Sequence, residues 1–329
     1  MSPITPAGVR AAAARIRPLA RRTPVLTSAE FDAAAGARVF FKCENLQNGG
    51  AFKIRGASNM ILSIPSVDLR RGVVAFSSGN HAIAVAIAAR YAGTAATIVM
   101  PADAPRSKLE SARAHGARIV LYDRQHESRE AIAARILDET GATLVPPFDH
   151  PLIVEGQGTA ALELLEDWPE LDALITPVGG GGLLSGSATI ARDMRPSIRL
   201  FGVEPADGND TFLSLQAGER RSVPLPKSIA DGLRAPAPGE LSLPIIRQFV
   251  EQILLVTDDE IRATVKFLLT RLKILVEPSG AVGAAALLFG KLPNGVGNVG
   301  VILSGGNMDL DQLAAYGTDT VGDYAPRQH

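Results

Sequence analysis

The sequence predicts an α/β fold built from parallel βαβ units, and three observations lead there. Short β-rich runs alternate with helical patterns from Val39 almost to the end, an alternation that covers both faces of a parallel sheet with helices. Glycine-bearing turns at 77–81, 179–182 and 304–307 each follow one of those runs. The chain, at 329 residues, is long enough to bury the core of one large domain or of two interlocked ones.

The first 29 residues hold Arg10, Arg15, Arg17, Arg21 and Arg22 but no acidic residue, the composition of an organellar transit peptide. An amphipathic helix over 7–19, closed by Pro18 and the turn at Thr23-Pro24, explains the same pattern, and no polar spacer separates it from folded chain. Val, Ile and Phe then concentrate in strands expected at 38–42, 73–77, 96–100, 118–122, 173–177, 200–203 and 299–304. Helical patterns fill 56–63, 81–91, 107–115, 128–139, 156–167, 183–194, 258–271 and 279–289. The block from 71 to 149 reads as βαβαβα set off by Gly/Pro-bearing stretches, so we expect a small mobile domain at 72–149 inserted into a large one, 1–71 with 150–329. The Pro-rich stretch 224–244 reads as an ordered surface excursion, because α/β patterning resumes after it.

Lys plus Arg (33) nearly balance Asp plus Glu (34), so no global field favours nucleic acid or an anionic membrane, and small charged metabolites remain as ligands. The longest nearly uncharged stretch, 279–290, is too short to span a bilayer. Cys43 is the only cysteine, which excludes an intramolecular disulfide and fits a reducing compartment, by default the cytoplasm.

Gly179, Gly180, Gly181 and Gly182 lie between a strand and the helix that starts near Leu183, where several backbone N–H groups and the helix dipole converge on an anion. A phosphate site is the inference; a tight turn alone rarely needs four glycines, and neither the Walker nor the dinucleotide spacing is present. Ser77, Ser78, Asn80 and His81 form a second strand-to-helix turn, explained either by N-capping or by the hold on a carboxylate. Lys53 lies among apolar residues with glycines on both sides, where burial would lower its pKa and free the amine to attack a carbonyl. Ser304 ends the last strand and faces the same crevice as the other turns.

Together, Lys42-Cys43-Glu44-Asn45-Leu46-Gln47, the run from Ala51 to Ala57, Ser77 to His81, Gly156 to Thr159, Gly179 to Gly182, Ala230-Asp231-Gly232, Glu277 to Gly280 and Ser304 to Asn307 resemble the serine/threonine dehydratase and serine racemase family. These are fold-type-II pyridoxal-phosphate enzymes, and the match runs in order from about Ala11 to Leu310, including members that act on threo-3-hydroxyaspartate. The resemblance implies two doubly wound open-sheet domains with pyridoxal 5'-phosphate in the cleft between them, and a homodimer. It implies that Lys53 carries the cofactor and later takes the substrate Cα proton. Phe52, Asn80, the Gly179 to Leu183 loop, Glu277 and Ser304 would bind the cofactor, while Ser77, Ser78 and His81 would hold the substrate carboxylate. Ser78 also matches the second base of racemases. The activity implied is β-elimination from L-threonine, L-serine or 3-hydroxyaspartate to a 2-oxo acid and ammonia; racemisation, or a binding protein that keeps the fold, are the alternatives.

Two further expectations follow from the resemblance. Glu204, the Gly208 carbonyl and Asp210 match a divalent-cation site, where oxygen-only ligands suit Mg, Ca or Mn, although an acidic loop by itself is usually solvated surface. Arg129 matches an arginine that reaches a second substrate carboxylate, and a surface arginine paired with a neighbouring glutamate accounts for it equally well.

Overall fold

The computed structural model describes residues 3–77 and 79–318, so Ser78 lies outside the described residues. Ten strands are β1 (Val25–Leu26), β2 (Arg38–Cys43), β3 (Val73–Phe76), β4 (Ala96–Pro101), β5 (Arg118–Tyr122), β6 (Thr143–Leu144), β7 (Ala173–Pro177), β8 (Arg199–Pro205), β9 (Gln252–Val256) and β10 (Asn298–Leu303). They form two sheets, a six-stranded one in the order β1-β2-β10-β7-β8-β9 and a four-stranded one in the order β5-β4-β3-β6. Every pairing is parallel except β1 with β2.

The helices are α1 (Pro6–Ile16), α2 (Ala29–Ala35), α3 (Lys53–Ile61), α4 (Ser66–Leu69), α5 (Asn80–Tyr91), α6 (Arg106–Ala114), α7 (Arg129–Thr140), α8 (Pro151–Asp167), α9 (Gly182–Met194), α10 (Asp210–Ala217), α11 (Ser242–Phe249), α12 (Asp258–Phe267), α13 (Pro278–Leu288) and α14 (Leu310–Thr318). The helix expected over 258–271 divides: α12 is opened by a capping box between Thr257 and Glu260, then loosens into a π turn at Leu268–Leu272 that the left-handed Lys273 ends. The Pro-rich excursion is more structured than its composition suggests, since it buries Ser228 and Ala230 and leads into α11. Among the described residues no helix is long and apolar enough to cross a membrane.

β10 lies between β2 and β7, so the chain reverses its direction of winding there, and the turns after β7 and β10 open at adjacent carboxyl ends. Helix α3 sits between the two sheets. Its apolar side, with Ile54, Ala57 and Ile61, joins the core formed by β3, β4 and α5, and full burial of each isoleucine contributes about 1.5–3 kcal/mol.

The other side of α3 meets α8 through glycines. A Cβ on Gly156 would lie 2.6 Å from the Gly56 Cα and 2.7 Å from the Arg55 carbonyl, so only bare backbone allows this approach. Two residues on, and so on the opposite face of α8, Gly158 meets Gly186 of α9 in the same way, and Gln157 accepts the Gly56 N–H at 3.2 Å. The Gly156-to-Thr159 motif is therefore a packing code that draws three helices together beneath the site. We predict that Gly186→Ala, whose methyl would press on the Val154 carbonyl and on the Gly158 backbone, lowers stability by about 1–3 kcal/mol in urea unfolding; an unchanged midpoint would contradict this close packing.

Candidate active site

Lys53 is the first residue of α3, held there by groups on both sides. Before it, Phe52 donates its N–H to the Ser304 carbonyl at 3.0 Å, Gly306 donates to Gly50 at 2.9 Å, and Ala51 bridges Gly305. After it, the fully buried Arg55 bonds Glu44 of the turn after β2 and Glu163 of α8. The Lys53 side chain is half-buried and its Nζ donates to the Pro147 carbonyl at 2.6 Å. Among the described residues no carboxylate pairs with it, and desolvation lowers its pKa to about 8.

The Pro147 carbonyl leads directly to the tetraglycine turn. The Phe148 ring occupies the space that a Cβ on Gly180 would need, and the Phe148 carbonyl lies 3.1 Å from where one on Gly182 would stand. Gly181 is left-handed (φ 84°) and no side chain caps α9. The N–H groups of Gly179 to Leu183 find no acceptor among the described residues, although all but Gly179 belong to buried residues. Unpaired buried donors at a helix N-terminus form an anion cradle, because leaving them unsatisfied costs free energy.

The turn after β10 gathers the remaining motifs. Gly305 accepts the Glu277 N–H at 3.0 Å, while Asn307 donates to the Gly49 carbonyl and to Asn80 Oδ1. Asn80 in turn donates through Nδ2 to Glu277 Oε1. Ser304, buried, has its hydroxyl 3.5 Å from the Ser279 carbonyl, and Ser279 Oγ accepts the Gly232 N–H at 2.9 Å.

At the turn after β3, Ser77 Oγ accepts the Gly79 N–H, a local cap. The His81 ring is turned away from this turn: Nε2 lies 2.9 Å from the Val145 carbonyl, and burial, with Lys53 nearby, lowers its pKa to about 3. The ring is thus neutral with its proton on Nε2, and the buried Nδ1 has only a lone pair to offer, which suits no carboxylate. The expectation that His81 grips a carboxylate therefore rests on its backbone N–H, not its imidazole. Arg129 begins α7, pairs with Glu130 at 2.8 Å and lies 5.1 Å above the Phe76 ring, which puts its guanidinium beside the residue that precedes Ser77.

Two residues that sequence reasoning did not single out join this network. Lys108 of α6 is buried, donates to Asp231 at 2.6 Å and lies 3.5 Å from Glu277 Oε2. Burial, with Asp231 nearby, raises the Glu277 pKa, against the opposing pull of Lys108 and Asn80. Lys108 carries no sequence signal, being one of several charged residues on a helix whose other buried residue is Ala112, whereas Asp231 lay within a recognised motif without a role.

Glu204 and Asp210 adjoin at the end of β8. Glu204 accepts the N–H groups of Thr211 and Phe212, and neither carboxylate oxygen of Asp210 finds a hydrogen-bond partner among the described residues. Burial raises both pKa values, and Asp210 adds to the effect on Glu204. Among the described residues no group of three or more His, Cys, Asp or Glu side chains is placed to hold a metal.

Comparison with known proteins agrees with this geometry. The chain is similar to the L-threo-3-hydroxyaspartate ammonia-lyase of a Pseudomonas species, with 47% identity over 304 residues covering 92% of this chain and 95% of the relative. It is also similar to the serine racemase of Oryza sativa subsp. indica, 46% identical and covering 93% and 91% of the two chains. The solved structure of maize serine racemase superposes with a TM-score of 0.92 at 44% identity, covering 95% of this chain and 96% of that one. An unpaired N–H cradle for a phosphate and a desolvated amine for an aldehyde fit one cofactor, pyridoxal phosphate. With residues 16–305 matching the model of that family, the chain belongs to the pyridoxal-phosphate-dependent enzymes.

Proposed function

We propose that this enzyme eliminates the β-hydroxyl of a hydroxy amino acid, L-threonine, L-serine or 3-hydroxyaspartate, and releases a 2-oxo acid and ammonia. The observation that carries the reading is the desolvated Lys53 amine fixed to Pro147, one residue from the ring that packs on the tetraglycine turn. Relatives named as ammonia-lyases of L-threo-3-hydroxyaspartate and L-threonine support the reaction class.

When bound, the cofactor supplies an aldehyde and a sink for the electron pair left at the substrate Cα. Gly179, Gly180, Gly181, Gly182 and Leu183 would hold its phosphate, Asn80 its ring hydroxyl and Ser304 its ring nitrogen, with Phe52 and Glu277 bounding the ring. Lys53 takes the Cα proton at Nζ, since a pKa of about 8 leaves much of the amine unprotonated in mildly alkaline solution. Ser304 is a neutral hydroxyl and, unlike a carboxylate, does not keep a ring nitrogen protonated. A weaker sink favours prompt expulsion of the β-hydroxyl over transamination. Ser77 and the N–H groups of its turn, including that of His81, would hold the substrate carboxylate, with Ser78 as a second base in any racemising turnover.

Arg129 beside Phe76 would meet a second carboxylate, which favours 3-hydroxyaspartate. A divalent cation, Mg, Ca or Mn, would sit between Glu204, the Gly208 carbonyl and Asp210, where two buried carboxylate oxygens lack partners. Residues 72–149 are read as a small mobile domain. A homodimer would cover the exposed Leu46, Leu275 and Leu310, and a lone buried Cys43 suits the cytoplasm.

Lys53→Ala is expected to abolish 2-oxo acid release from all three substrates and to prevent borohydride from fixing cofactor to the chain; substantial turnover by that variant would refute the assignment. D-serine formation without any 2-oxo acid would instead select the racemase reading. Arg129→Ala should raise KM for 3-hydroxyaspartate by about tenfold or more while leaving threonine nearly unaffected, the size of one lost charge-assisted hydrogen bond; equal effects on both substrates would remove Arg129 from the site.

For the cation, the sign follows from the raised carboxyl pKa values: the folded chain binds more protons than the unfolded one between the ordinary carboxylate range and neutrality. Stability without metal therefore falls as pH rises through that window. Magnesium or calcium should raise Tm more at about pH 8 than at about pH 5.5, where protonation already relieves the pair. No Tm response at either pH, with no metal in the purified protein, would remove the cation.

A further inference from the structure

Residues 73–144, which carry the four-stranded sheet, contribute many side chains to the site, yet few charges tie them to the rest of the chain. Among the described residues, the ion pairs that cross from this segment to the six-stranded sheet and its helices all come from Lys108, one with Asp231 at 2.6 Å and one with Glu277 at 3.5 Å. Its neighbours Arg106, Arg124, Arg129 and Arg135 pair within the segment.

The lysine is built into its position. Its side chain is 4% exposed, and it packs along Gly79, the N-cap of α5, with its stem and amine 3.4–3.5 Å from where a Cβ there would stand, an ordinary packing contact. One residue on, Asn80 is bonded to the same Glu277 that Lys108 faces. Glu277 Oε2 has no hydrogen-bond partner among the described residues, and the Lys108 ammonium is the cation that pairs with it there.

We propose that Lys108 is a positioning residue: an ionic latch that fastens the four-stranded layer over the cleft and holds Glu277 and Asn80 in register for the reaction. The cation lies between two carboxylates of the larger layer, and moving α6 outward would leave both Asp231 and Glu277 without it. That loss makes the open state costly and gives closure a definite end point. The latch rests on the proposed function only for the location of the site.

The experiment compares the holoenzyme with Lys108→Met, Lys108→Arg and Asp231→Asn by amide hydrogen exchange and by steady-state kinetics. Lys108→Met should speed exchange in α6 and at 79–81 while the cores of β7, β8 and β10 keep their protection. Because fewer molecules are closed, KM should rise by about tenfold, with kcat changed less since saturating substrate restores closure. Lys108→Arg should recover most of both effects. Asp231→Asn breaks the same pair from the larger layer, so the exchange pattern must reappear there even if Lys108→Met folds poorly. Wild-type exchange in both variants, or faster exchange spread evenly over both sheets, would overturn the latch. The exchange map needs no turnover, so it stands or falls apart from the choice of substrate.

Discussion

A buried charge cluster fixes Lys53 in space. Arg55 and Lys42, both fully buried, face Glu44 and Glu163, with Nε and Nη bonds of 2.7–2.8 Å from Arg55 and a 2.6 Å contact from Lys42 to Glu163. Two positive charges against two negative ones leave no net charge, and Thr159, Thr23 and the carbonyls of Arg21 and Thr23 take up remaining hydrogen bonds. Burial alone would raise the Glu44 pKa, but the guanidinium of Arg55 and the ammonium of Lys42 outweigh it and hold the carboxyl below its ordinary value. Such a cluster gains little stability over an apolar core, yet removing one member strands a buried charge. What it supplies is position: β2, α3 and α8 are held together two residues from Lys53.

The glycine turns were legible because a positive φ, a close backbone approach and an open N-terminus each demand glycine in a recognisable place, between a strand and a helix. The start of α3 was placed at 56 because Gly56 reads as punctuation; in the structure it is a contact surface, pressed on Gly156, and the helix begins at Lys53 itself. Strands β1 and β6 escaped detection because two residues show no periodicity, and β9 because the Pro-rich stretch ahead of it hides α11 and the return to regular structure. Lys108 was invisible for a different reason: a burial that depends on the meeting of two layers leaves no mark in local sequence.

The His81 ring shows the limit of reading roles from residue type. A histidine beside a serine-rich turn suggests an anion partner, but its partner is the Val145 carbonyl, from the strand-edge segment next to β6. The carbonyl fixes the proton on Nε2, and the low pKa keeps a second proton from joining it. A neutral ring near Lys53 adds no positive charge there, so the lysine keeps an environment in which desolvation, not repulsion between cations, lowers its pKa.

The site thus joins parts of unequal stiffness. On one side, α3, α8 and α9 meet through bare glycine backbone and the charge cluster, contacts that tolerate almost no displacement. On the other, the turn after β3 and helix α7 belong to a four-stranded layer joined to the rest by the apolar face of α3, by Asn80 and by one shared lysine. The amine proposed to take the proton needs fixed geometry, since small displacements cost rate steeply. The groups proposed to grip the substrate must instead part to admit it. With the lysine on the glycine-packed helices and the proposed grip on the layer with fewer ties, substrate binding would order the second without disturbing the first.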